Sequence, residues 1–122
     1  MQIKIGTDLL NKKRFLTSCQ NGGDNFLEKI FTPYERRENS LDQLASIFCL
    51  KEAVVKALEL PPGSWLFINT LRLENGKLGC TITHEDIARR ITSFDTSISH
   101  EEKMIIAVVV IIMENREDVP NN

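Results

Sequence analysis

A chain of 122 residues has room for one domain with a modest core and none for a second. Its 42% apolar and 26% charged residues are those of an ordinary globular protein, and a net charge of −2 argues against a general nucleic-acid binder, which carries a basic excess. The three cysteines, Cys19, Cys49 and Cys80, are scattered without a C-x-x-C pair, and the two histidines do not cluster, which argues against a disulfide framework and a structural zinc site.

Residues Gln2 to Thr7 alternate, with Ile3 and Ile5 on one face, and predict an opening strand that leads off without a signal-peptide pattern. Gly6-Thr7-Asp8 then breaks the pattern, and Leu9 to Cys19 can form a helix carrying Lys12-Lys13-Arg14. Asn21-Gly22-Gly23 reads as a turn, followed by a short helical stretch from Asp24 to Phe31. Thr32-Pro33-Tyr34-Glu35 has the threonine, first-turn proline and third-position glutamate of a capped helix start. Ser40-Leu41-Asp42-Gln43 repeats that logic and opens the longest helix, which runs to about Glu59 and is stopped by Pro61-Pro62-Gly63.

Asn75-Gly76 is the strongest hairpin signal in the chain and joins predicted strands Leu66 to Leu73 and Leu78 to Thr83. A short helix over Thr83 to Thr92 precedes two more strands, Phe94 to Ser99 and Met104 to Met113, joined at His100-Glu101-Glu102-Lys103. The last of these is the longest apolar run and is too short to cross a bilayer, so the expectation is a soluble, cytoplasmic protein with neither membrane nor nucleic-acid partner. A polar tail, 114–122, follows a single domain at 1–113. Helices and strands mix without regular alternation, which makes the fold class α+β.

Three segments carry candidate chemistry. Asp8 follows a glycine at a strand end, where a carboxylate serves equally as a ligand for a hard cation or as a helix cap. Glu52 and Lys56 share a helix face at i, i+4, with Phe48 one turn earlier; this is a surface ion pair worth tenths of a kcal/mol, or a pair sheltered by the apolar residues around it. Ser97-Ile98-Ser99-His100 places hydroxyls and an imidazole where two strands meet, suited to phosphate or simply to a surface loop. The basic pairs Arg36-Arg37 and Arg89-Arg90 suit a phosphate, an acidic partner or a solvated helix face.

In order and spacing, Gly6-Thr7-Asp8, Lys51-Glu52-Ala53-Val54-Val55-Lys56 and Ser97-Ile98-Ser99-His100 resemble the G-x-D, K-E-A-x-x-K and S-x-S/T-H motifs of the holo-acyl-carrier-protein synthases. These are the short, single-domain branch of the 4'-phosphopantetheinyl transferases. The resemblance runs from about Ile3 to Met113 and includes an arginine six residues after the aspartate, here Arg14. It implies a small antiparallel sheet packed with helices, and an enzyme that moves phosphopantetheine from coenzyme A to a serine of an acyl carrier protein and releases 3',5'-ADP. It further implies Mg2+ held by Asp8 and Glu52, catalysis by Glu52 and Lys56, coenzyme A contacts from Lys56, Ser99 and His100, and carrier docking at Arg14. A homotrimer with active sites between subunits is also implied.

Three positions depart from the family pattern. An arginine that contacts the 3'-phosphate of coenzyme A is replaced by Ile47, the preceding glycine by Ser46, and the proline of the hairpin G-K-P by Leu78. The chain would then bind coenzyme A weakly, use other basic residues such as Arg36 or Arg37, or serve a specialised carrier. The competing expectation is a non-catalytic trimeric relative that keeps the carrier interface.

Overall fold

The computed structural model describes residues 1–118 and has the element order β1(Gln2–Asn11), α1(Lys12–Ile30), α2(Pro33–Glu38), α3(Leu41–Leu58), β2(Ile68–Arg72), β3(Leu78–Ile82), α4(Glu85–Ala88), β4(Ile91–His100) and β5(Met104–Met113). The apolar run of β5 takes the middle of an antiparallel three-stranded sheet, order β1-β5-β4, and a hairpin of β2 and β3 forms a second sheet. Strand alternation divides β5 between two surroundings: Ile105, Ala107, Val109 and Ile111 are fully buried beneath α3, while Ile106 and Val110 lie on the opposite, open face. Helix α3 is apolar almost all round, as its place between the sheet and α1 requires. The fold is α+β.

β1 does not end where the sequence pattern breaks. Its ladder with β5 runs unbroken from Gln2↔Met113 to Asn11↔Met104, so Gly6-Thr7-Asp8 lies inside the strand and the helix predicted from Leu9 begins at Lys12. Asn11 is its cap, accepting from the Arg14 amide at 3.1 Å, so Asp8 caps no helix. The turn expected at Asn21-Gly22-Gly23 is a kink within α1 at Gly23, whose φ of 56° suits glycine.

Both capping boxes form: Thr32 with Glu35 at 3.2 and 2.8 Å, and Ser40 with Gln43 at 3.2 and 2.9 Å. Helix α3 ends at Leu58 with Glu59 in the left-handed region. The helix expected over Thr83 to Thr92 shrinks to one turn, because β4 claims the chain from Ile91 onward. Glu114 belongs to neither strand but is tied to Arg90 through backbone and guanidinium hydrogen bonds, and Arg116–Asp118 forms a 3-10 turn. The rest of the expected tail, 119–122, lies outside the described residues.

Two features position α3. A Cβ at Gly6 would stand 1.9 Å from the Ala53 carbonyl oxygen, so only glycine lets the helix backbone approach β1 this closely. On the far side, the fully buried Lys51 ammonium meets Glu35 Oε1 at 2.6 Å and the Ile30 carbonyl at 2.7 Å. The other Glu35 oxygen accepts from the Thr70 amide and hydroxyl at 2.9 and 2.5 Å. Both carboxylate oxygens and two of the three ammonium N–H groups of this buried pair are matched, which ties α2, α3 and β2 together.

Candidate active site

Strand alternation turns Asp8 towards α3, with its side chain 16% exposed. Its Oδ1 accepts from Lys56 Nζ at 3.0 Å, and the same ammonium reaches the Thr7 carbonyl at 3.1 Å. Two turns back along the helix, Cys49 Sγ donates to the Asp8 carbonyl at 3.4 Å. Glu52 falls between these two helix positions, at i+3 from Cys49 and i−4 from Lys56, on the side of α3 that looks onto Asp8. Its Oε1 accepts the indole N–H of Trp65, which begins a 3-10 turn, Trp65–Phe67. Lys56 is 57% exposed and free to reach a ligand, in contrast to Lys51 of the same motif.

Oxygen donors from a rigid strand and a rigid helix suit a hard divalent cation that keeps water and substrate phosphate in its shell. Among the described residues no cluster of three or more histidine, cysteine or acidic side chains forms. Two carboxylates, with water and substrate phosphate completing the shell, are a donor set of the kind that magnesium accepts.

Arg14 stands on the first turn of α1 beside a groove of about 280 Å³ that Phe15, Phe26 and Phe48 also line. Phe48 stacks against both Phe15 and Trp65, at 5.5 and 5.8 Å between centroids, so this groove adjoins the Glu52 carboxylate.

Ser99 and His100 are separated by the alternation of β4. His100 lines a groove of about 560 Å³ together with Thr96 and Ile98 on the α3 side, whereas Ser99 turns to the open face of the sheet. The groove is bounded by Gln43 and Ser46 at the start of α3 and by the β2–β3 hairpin. Its basic side chains are Lys12, Arg72, Lys77 and His100, and Arg36 and Arg37 are not among its walls. Arg36 instead pairs with Glu28 at 3.8 Å, and Arg37 with Glu38 at 3.4 Å. Ile47 is buried in the core at 1% exposure, so isoleucine at this position serves packing.

Asp8 and the groove occupy opposite edges of the sheet. Asp8 pairs with Ala107 and Ala107 with Ile98, which sets the two edges two strand spacings, roughly 10 Å, apart.

A sequence profile of the 4'-phosphopantetheinyl transferase superfamily matches residues 4–109 of this chain. The chain belongs to that superfamily. Within it, a holo-acyl-carrier-protein synthase of Dehalococcoides mccartyi is 37% identical over 112 residues, covering 86% of this chain and 94% of that protein. One of Finegoldia magna is 30% identical over 120 residues, covering 94% and 100%. Among solved structures, the Helicobacter pylori holo-acyl-carrier-protein synthase in complex with coenzyme A superposes with a TM-score of 0.78 at 32% identity, covering 88% of this chain and 98% of that one. The motif residues picked out in the sequence lie at Asp8 in β1, Glu52 and Lys56 in α3, and His100 at the end of β4.

Trp65 and the hairpin residue Arg72 were invisible as site residues in the sequence. The signal available for the first was an indole following a helix stop, a position that brings the chain back over α3. For the second it was an arginine on the hairpin whose lysine belongs to the family motif.

Proposed function

We propose that the chain transfers the 4'-phosphopantetheine arm of coenzyme A to a serine of an apo acyl carrier protein. The observation that carries this reading is the pairing of the Asp8 carboxylate of β1 with the exposed Lys56 ammonium, one helical turn from Glu52 on α3, in a chain of this family. Asp8 and Glu52 would hold Mg2+, which when bound supplies charge neutralisation at the pyrophosphate of coenzyme A.

Lys56, swung from Asp8 onto the phosphates, stabilises the negative charge that gathers on the departing 3',5'-ADP. The serine Oγ forms its bond to the β-phosphorus as the bond to the nucleotide oxygen breaks, and Glu52 is the candidate acceptor of the serine proton. His100 and the groove cations Lys12, Arg72 and Lys77 would receive the nucleotide phosphates, with Arg72 taking over the guanidinium contact that Ile47 does not provide. Ser99, on the open face, would reach nucleotide bound across a subunit boundary. Arg14, at the rim of its apolar groove, would dock an acidic helix of the carrier.

A homotrimer accounts for the separation of the two half-sites. Ile3, Ile5 and Leu9 are 64–69% exposed on the open face of the sheet, beside Ile106 and Val110. Such a face is covered in a stable protein. Packing these faces would bring the groove of one subunit to the carboxylates of its neighbour. Among the described residues no helix is long and apolar enough to cross a membrane, and a cytoplasmic site of action suits the free carrier and coenzyme A substrates.

The buried Ile47 favours a second reading, a non-catalytic trimeric relative that binds carriers without turning over coenzyme A. Turnover of coenzyme A by the wild type separates the two, and Asp8→Ala and Glu52→Ala test the site. The transferase reading expects each to lower transfer at least about a hundredfold with circular dichroism unchanged. Full activity in both variants would remove the site assignment.

A further inference from the structure

We propose that Trp65 is a positioning residue that fixes the Glu52 carboxylate for its divalent cation; the inference rests on the magnesium reading of Asp8 and Glu52. A glutamate side chain has three rotatable bonds and, when half-buried beside an ammonium, more than one place to go. In this chain one of its oxygens is held. The Trp65 indole N–H donates to Oε1, and no hydrogen bond among the described residues engages Oε2. An indole is a donor only, so it cannot stand in as a ligand; its contact selects the rotamer and leaves the second oxygen available.

The indole is itself fixed from two sides. Ahead of it, Pro61-Pro62-Gly63 ends the helix region, and the buried Ser64 closes a turn through its amide and hydroxyl onto the Pro61 carbonyl at 3.2 and 2.6 Å. The turn places the ring edge-on against Phe48 at 62°, and Phe48 rests in turn on Phe15. Ring orientation therefore comes from packing, and the hydrogen bond transmits it to the carboxylate. Partners that orient a metal ligand in this manner contribute roughly 10- to 100-fold in metal affinity.

Trp65 is the single tryptophan of the chain, so its emission reports directly on the carboxylate it touches. The test titrates the full-length protein with Mn2+ as the probe, following bound ion by electron paramagnetic resonance and tryptophan emission in parallel. In the wild type the two signals are expected to share one midpoint. Trp65→Phe, which keeps the ring stack and loses the N–H, is expected to weaken Mn2+ binding roughly 10- to 100-fold with its circular dichroism preserved.

Unchanged Mn2+ affinity in Trp65→Phe, beside loss of binding in Glu52→Gln, would overturn the positioning role alone. Wild-type Mn2+ binding by Glu52→Gln would overturn the metal reading and this inference with it. Should Trp65→Phe fail to fold, the wild-type titration decides: emission that stays flat while Mn2+ saturates would overturn the role, and a coincident midpoint supports it.

Discussion

Lys51 and Lys56 stand five residues apart on one helix and read alike in the sequence, yet they do opposite things. Lys56 lies over β1 and bonds the Asp8 carboxylate from solvent, whereas Lys51 points into the interior, where burial lowers its pKa against the opposing hydrogen bond and charge of Glu35. Nothing local distinguishes them, because the partner of each lies more than a dozen residues away. Cys49 shows the same dependence on surroundings. Desolvation, and then the Asp8 charge, push its thiol up to about 12 from an ordinary 9.0.

Below pH 9 the thiol is protonated in folded and unfolded chains alike; between 9 and about 12 the unfolded chain binds fewer protons, so stability falls as pH rises. Cys80, raised to about 12 by burial, adds to this loss, and Cys49→Ala should remove only its own share. The expected result is a wild-type unfolding free energy, from urea titration, that drops over that window by up to about 1.4 kcal/mol per pH unit for each such thiol, and less steeply in Cys49→Ala. Equal slopes would show that Cys49 ionises freely in the folded protein.

At the scale of elements, the contact of α3 with β1 governs the site, since it brings Lys56 onto Asp8 and sets Glu52 one turn away on the same helix. Gly6 sets that contact. In Gly6→Ala the new methyl would collide with the Ala53 carbonyl and meet Ala57 Cβ at 3.0 Å, so helix and strand must part. An overpacking cost of about 3 kcal/mol, and a melting temperature lower by roughly 10 °C, are expected, together with reduced transfer. A wild-type melting curve would mean that the close approach does not hold the two elements in register.

The capped starts of α2 and α3 were legible because each needs only four consecutive residues. The start of α1 was not, since Leu9 and Leu10 fit a helix as well as a strand until the ladder with β5 claims them. The cap signal was present in Asn11, with Arg14 rather than a glutamate at the third position.

For the whole molecule, the α+β class and the number of strands were readable from the pattern. The split between half-sites was not, because it follows from strand order, which places β5 between β1 and β4. The same order exposes Ile3, Ile5 and Leu9 along an edge strand. Ile5→Glu, at 69% exposure in the monomer, costs the isolated fold little and should convert a trimer to monomers by sedimentation, with transfer lost in parallel. A wild-type sedimentation coefficient would exclude this face as the subunit boundary.

The most direct measurement of the whole account is the intact mass of an apo acyl carrier protein after incubation with this protein, coenzyme A and Mg2+. The expected result is a gain of one phosphopantetheine arm that chelation of the metal abolishes. An unaltered mass across several apo carriers, with the protein folded and trimeric, would contradict the transferase reading and leave the chain as a carrier-binding module.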